Sequence, residues 1–342
     1  MKNKNKDKSL LMVCELIFIS LVVAVSTTVG TSFAQAQLQK TTAAEDKLQM
    51  VSDHIFTTLR KDNSLYDLQQ NATLPAGRDM TYVDVTADGQ VVAATSSSDN
   101  QTFIFNGNND KLLGKVKVGE VPKGVKITPD KRYAFVANEL SGSVSIISLK
   151  DLKVVKEVSV GLIPHNIVFS PDGTKAYVTA QGSDKVVAIE VNNLEKVGEI
   201  QVGKGPHNLD ITSDGKLLFV ANAGSSDVAV INTTTMQVIN KIPVSLGHHG
   251  IDVSPNDEWV YVSGIGSDKV NVIDAKKQEL VKQIAVGKGP HGIRVSSDGR
   301  YLYVDVSSEN KVVVMDTLNN LEITKQISTG NTPFWLAVPG NH

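Results

Sequence analysis

The stretch Pro164-His165-Asn166-Ile167-Val168-Phe169-Ser170-Pro171-Asp172-Gly173-Thr174-Lys175-Ala176-Tyr177-Val178-Thr179-Ala180 sets the fold of this chain. Two runs rich in β-branched and aromatic residues flank the tetrapeptide Ser170-Pro171-Asp172-Gly173. Pro presets φ, Asp caps a turn and Gly tolerates positive φ, so the stretch predicts strand, tight turn, strand. Outward from it the pattern recurs. Asp88, Asp130, Asp172, Asp214, Asn256 and Asp298 stand 42 residues apart, each at the same place in a turn. After each turn comes a β-rich run such as Tyr133 to Asn138, Leu218 to Asn222 or Tyr301 to Val304. A polar turn follows, as at Gly182-Ser183-Asp184-Lys185, then a third strand such as Val186 to Ile189 and a fourth such as Val197 to Val202.

Four short strands in each 42-residue unit are one blade of a β-propeller. The expectation is an all-β, seven-bladed propeller of four-stranded blades. Units 80–121, 122–163, 164–205, 206–247, 248–289 and 290–332 supply six blades. A seventh begins at Pro333-Phe334-Trp335-Leu336-Ala337-Val338. Its remaining strands are expected from the N-terminal side: Lys47 to Val51 as second, His54 to Leu59 as third and Leu65 to Gln69 as fourth. Pairing of the two chain ends then closes the ring and removes its open edge. The alternative is six blades with both ends as appendages.

The repeats resemble the YVTN family of propellers, which includes surface-layer and YncE-like proteins. The matching words are Pro164-His165-Asn166, Ser170-Pro171-Asp172-Gly173 and Tyr177-Val178-Thr179-Ala180, with their counterparts over residues 80–338. The resemblance implies the fold. It implies no particular activity, because the architecture hosts many.

The N-terminus reads as an export signal. Lys2, Lys4, Lys6 and Lys8 precede an apolar run from Leu10 to Val25, and Ala34 offers small-x-small cleavage sites on either side. The expected organisation is a signal peptide over 1–34, a flexible lead-in over 35–46 and one propeller domain over 47–342. Uncleaved, the same run is nearly long enough to anchor the chain in a membrane. The expected location is secreted, periplasmic or cell-surface. Cys14 is the only cysteine and lies inside that run, so the mature chain forms no disulfide and has no thiol nucleophile. Charge is balanced at 34 Lys+Arg against 36 Asp+Glu, with no basic patch for nucleic acid.

Two rings of residues could carry chemistry. His165, His207, His249 and His291 stand 42 residues apart, just before the expected innermost strands, where the other blades hold Thr81, Lys123 and Phe334. His248 adds a neighbour. Four imidazoles on one arc at the channel mouth suit copper or zinc. On the same spacing a ligand would sit against the histidine side, away from Phe334, with opposite blades out of reach of one another. The alternative is that each ring packs structurally within its own blade. Three residues on come Asp84, Lys126, Val168, Asp210, Asp252, Arg294 and Ala337. Charge on an innermost strand demands partners, and Asp84–Lys126 and Asp252–Arg294 are the natural pairs lining the channel.

No phosphate loop, nucleophile elbow or zinc-protease motif occurs. This favours a binding or scaffold protein that recognises a protein, glycan or cell-envelope component through its loop faces. A membrane is a partner only if the N-terminal segment stays uncleaved. The alternatives are a metal- or cofactor-dependent enzyme using the histidine arc, and a lactonase-like hydrolase. Seven-bladed lactonases call for an acid, His and Arg pocket, and His207, His249 and Arg294 are the residues available for one.

Overall fold

The computed structural model describes residues 54–340. They form seven four-stranded antiparallel sheets, one per blade, with each strand beside its sequence neighbour. The blades span 80–117, 122–159, 164–201, 206–243, 248–285 and 290–328, and the seventh joins the two ends. Among the described residues, helix is confined to single 3₁₀ turns at Gln181–Ser183 and Ser307–Glu309. Burial follows strand position. The innermost strand of blade 3, Pro164–Phe169, is buried throughout, whereas its outermost strand, Glu195–Gln201, is mostly exposed. The core lies between blades: Phe135 and Ile146 of blade 2 pack with Ile167, Phe169 and Val178 of blade 3.

Each Ser/Thr-x-Asp turn has a chemical reason. The Ser170 hydroxyl donates to Asp172 Oδ1 at 2.6 Å and accepts the Lys175 N–H at 2.9 Å, which seats the first residue of the second strand. The same pair of bonds recurs at Thr86, Thr128, Thr212, Ser254 and Ser296. Gly173 follows at φ +68°, where an added Cβ would meet only the Pro129 ring at 3.5 Å. Lys131 and Asp257 hold the same left-handed conformation in their turns, so the position demands a backbone angle rather than an empty space. Gly173→Val, stiff at Cβ, is therefore expected to cost about 1–2 kcal/mol in denaturant melts. Lys175→Ala should stay within about 0.5 kcal/mol. Equal costs for the two would refute this account of the turn.

The seventh blade departs from the expected register. Its innermost strand is Pro333–Ala337, as read, but the second is Phe56–Leu59, the third Ser64–Asp67 and the fourth Ala72–Pro75. The segment expected as third is thus second, and the one expected as fourth is third. Lys47 to Val51 lies outside the described residues, as do the export signal over 1–34 and the lead-in over 35–46. Ala72–Pro75 was not among the expected strands; its Pro75 ends an outermost strand, where a missing N–H is harmless. The seam is latched by hydroxyls. Thr58 Oγ1 accepts the Trp335 N–H at 3.1 Å and donates to the Thr81 carbonyl of blade 1 at 2.9 Å. On the other side Thr57 donates to the Asp305 carboxyl of blade 6 at 3.0 Å.

Candidate functional site

Every repeat places a β-bulge at the start of its innermost strand. Register slips between Pro164 and Ile167, Pro206 and Leu209, His248 and Ile251, and Pro290 and Ile293. The bulge re-aims the second residue of the strand. His165, His207, His249 and His291 are those second residues, within the strand rather than before it.

Three of the four imidazoles gather into one cluster. His165 and His207 stack with centroids 4.7 Å apart and planes at 20°, and His249 stands edge-on to them at 5.7 and 4.9 Å. A ring nitrogen of each lies within 4.8 Å of the others. His291 is drawn aside. It is sandwiched between His249 and Phe334 at 3.7 and 3.6 Å, and its Nδ1–H donates to the Phe334 carbonyl at 2.8 Å. Phe334 therefore belongs to the histidine side rather than facing it. His248 also stays out of the cluster, with Nδ1 3.3 Å from the Ser245 carbonyl. Nor does each ring satisfy itself within its own blade. The Tyr82 hydroxyl of blade 1 sits 2.9 Å from His165 Nε2 and donates to Asn208 Oδ1 of blade 4 at 3.4 Å. The channel is narrow enough here for opposite blades to touch.

Burial keeps these rings uncharged. It holds His165 and His249 well below the ordinary imidazole range, and neighbouring imidazoles push the same way. It draws His207 down to about 4 and His291 to about 3. Cations share the mouth. Lys123 holds the histidine-equivalent place in blade 2 and pairs with Glu139 at 3.5 Å. Arg60 pairs with Asp79 at 2.6 Å and lies 4.6 Å over the Phe334 ring.

Below the cluster, Tyr82 and Trp335 meet with centroids 4.5 Å apart, both buried, and fill the middle of the channel. Sequence reading missed them, along with Arg60 and Glu139. One signal was available: the residue after the histidine reads Tyr82, Gly124, Asn166, Asn208, Gly250, Gly292, Trp335. The glycines have no room for more. A Cβ on Gly250 would come 2.5 Å from the His291 carbonyl oxygen.

The second ring serves mainly to join blades. Asp84 meets Lys126 at 2.9 Å and Asp252 meets Arg294 at 3.0 Å. The other oxygen of each aspartate accepts a backbone N–H of the next blade, from Ile127 and Val295. Asp210 does the same to Val253 at 2.7 Å. Burial, then the charge of Asp252, raises the Asp210 carboxyl above the usual range. Val168 and Ala337 fill the remaining places in this ring with apolar side chains. Arg294 also stacks on Trp335 at 4.8 Å. Its guanidinium is engaged by Asp252 and Trp335 there, while His207 and His249 meet with centroids 4.9 Å apart.

A family profile described as "Lactonase, 7-bladed beta-propeller" matches residues 70–241, half of the chain. A second, described as "Cytochrome D1 heme domain", matches residues 218–334. Neither carries the YVTN description. No curated protein matches the chain. Among solved structures, a protein of unknown function from Desulfotomaculum acetoxidans superposes with TM-score 0.74 at 16% identity, over 85% of this chain and 100% of that one. Hydrazine synthase from Kuenenia stuttgartiensis gives 0.68 at 21%, over 76% and 90%. A putative 6-phosphogluconolactonase from Bacteroides uniformis gives 0.69 at 20%, over 83% and 98%. Identities this low show the fold alone. The haem suggested by the second profile does not fit the residues present. Rings 3.7–5.7 Å apart with 6–7% of the surface of His165, His249 and His291 exposed leave no face for a macrocycle.

Proposed function

We propose, from the premise that this chain belongs to the lactonase family of seven-bladed β-propellers, that it hydrolyses a cyclic ester at the histidine-lined mouth of its channel. The observation that carries the reading is the pairing of uncharged imidazoles with the cations Arg60 and Lys123 at one mouth. A neutral imidazole can take the proton of an attacking water. The water oxygen bonds to the ring carbonyl carbon, the ring C–O bond breaks, and the ring oxygen leaves as a hydroxyl. The product is an open-chain hydroxy acid. Arg60 and Lys123 suit a substrate that carries an anion. A solved neighbour named as a putative 6-phosphogluconolactonase supports this choice, since that name describes a phosphorylated lactone.

The test is proton release from a phosphorylated and an unphosphorylated sugar δ-lactone. The parent is expected to outpace spontaneous opening, with the phosphorylated ring preferred. His207→Ala should lower kcat/KM about 100-fold or more, and Arg60→Ala should raise KM for the phosphorylated ring alone. A parent no faster than buffer on both lactones would refute the reading.

The binding role keeps one observation in its favour. Leu140, Leu162 and Leu246 are 65%, 66% and 71% exposed. Each sits in a loop at the end of its blade that carries the histidines, where the Leu140 N–H bonds to the Glu120 carbonyl and the Gly182 N–H to the Leu162 carbonyl. Such a rim suits a protein, glycan or cell-envelope component. The family favours hydrolysis over this role. Export through residues 1–34 is part of the same proposal.

A further inference from the structure

We propose that His165, His207 and His249 hold one divalent ion of the zinc or copper class. The site stands on its own geometry; only its catalytic use rests on the hydrolase reading. Three ring nitrogens lie within 4.8 Å of one another. Nitrogens bound at about 2.0–2.1 Å to a tetrahedral ion lie about 3.4 Å apart. Small ring rotations therefore close the set.

The decisive observation is a pair of orphaned atoms. His165 Nδ1 and His207 Nδ1 are buried with no hydrogen-bond partner, a costly state for a polar atom. His165 itself is only 7% exposed. The opposite nitrogens are engaged: His165 Nε2 lies 2.9 Å from the Tyr82 hydroxyl, and His207 Nε2 lies 2.6 Å from the Gln181 amide, which accepts from an Nε2–H when its oxygen is turned to the ring. With His165 Nε2–H donating to the Tyr82 hydroxyl, Nδ1 of that ring is left as a lone pair. Metal-ligating histidines are held in this way, with the far nitrogen fixed by a neighbour. His249 Nδ1 has only a 3.1 Å contact from Asn208, whose shorter bond of 2.7 Å goes to the His249 carbonyl.

His291 stands outside the set of ring nitrogens that lie within 4.8 Å of one another. Three nitrogen donors leave a fourth position open, the arrangement of catalytic rather than structural zinc. Within the hydrolase reading, that position holds the nucleophile. A bound ion would supply hydroxide there as the nucleophile, in place of a water deprotonated by an imidazole; the ring C–O bond would break and the departing oxygen would take a proton from water. A depression of about 250 Å³ on the opposite face was the rival candidate. Its charged groups Lys126 and Lys131 already pair with Asp84 and Asp88, and it has no comparable orphaned atom.

The experiment is equilibrium dialysis of the untagged chain against Zn²⁺ and, separately, Cu²⁺, without substrate. One ion per chain is expected. His165→Asn and His249→Asn should each weaken binding by about 100-fold or more, and His291→Asn by less than about threefold. Electron paramagnetic resonance of the Cu²⁺-loaded parent should show coupling to three imidazole nitrogens, a readout that needs no variant to fold. No bound ion, no imidazole coupling, or an equal loss in His291→Asn would overturn the site. A parent that binds one ion yet opens no lactone removes the hydrolase reading alone. One that opens lactones at full rate with no ion bound removes this inference alone.

Discussion

Deletion of residues 331–342 is expected to abolish the cooperative unfolding transition. The lost strand, Pro333–Ala337, is innermost in its blade and buried along its length. Phe334, Trp335, Leu336 and Val338 are each at most 9% exposed. Single large-to-small changes at such side chains cost about 2–5 kcal/mol each, and a whole domain is stable by only about 5–15 kcal/mol. The deletion also removes the Trp335 N–H from Thr58 and uncovers the edge of Phe56–Leu59. Circular dichroism melts of parent and truncated chain would decide. A truncated chain that melts cooperatively within about 2 °C of the parent would disprove closure by this strand.

Asp252→Ala is expected to cost about 3–5 kcal/mol, the usual penalty for leaving one member of a buried ion pair behind. Asp252 is fully buried, and the Arg294 side chain is 10% exposed. The substitution strands the guanidinium between blades and deprives the Val295 N–H of its 2.6 Å acceptor. The double variant Asp252→Leu/Arg294→Met should recover most of the loss, because an apolar pair of similar size needs no desolvated charge. Urea melts of the four chains give the coupling directly. A single-variant cost below about 1 kcal/mol, or no recovery in the double variant, would show that the pair does not join blades 5 and 6.

Whatever repeats was legible. The 42-residue period determined the blades, the Ser/Thr-x-Asp turns and the places of the four histidines. What breaks the period was not. Phe56–Leu59 is misplaced by one strand because its neighbours come from the other end of the chain, outside the spacing that orders the rest. Tyr82 and Trp335 matter because each is large where other blades have Gly or Asn, and a long ring crosses a narrow channel to partners the repeat never places beside it. The split of the histidines into three and one depends on Phe334, which reaches His291 only once the seventh blade closes the ring. Arg60 and Glu139 lie on turns whose direction the strand pattern leaves open.

The contact between Tyr82 and Trp335 makes the central channel a cup rather than a tube. Anything that reaches the imidazoles must enter and depart through the same opening. If the proposed hydrolysis takes place there, a product that lingers would exclude the next substrate, and inhibition by product would be competitive. A solute reaching the imidazoles from the opposite face would have to pass both buried rings.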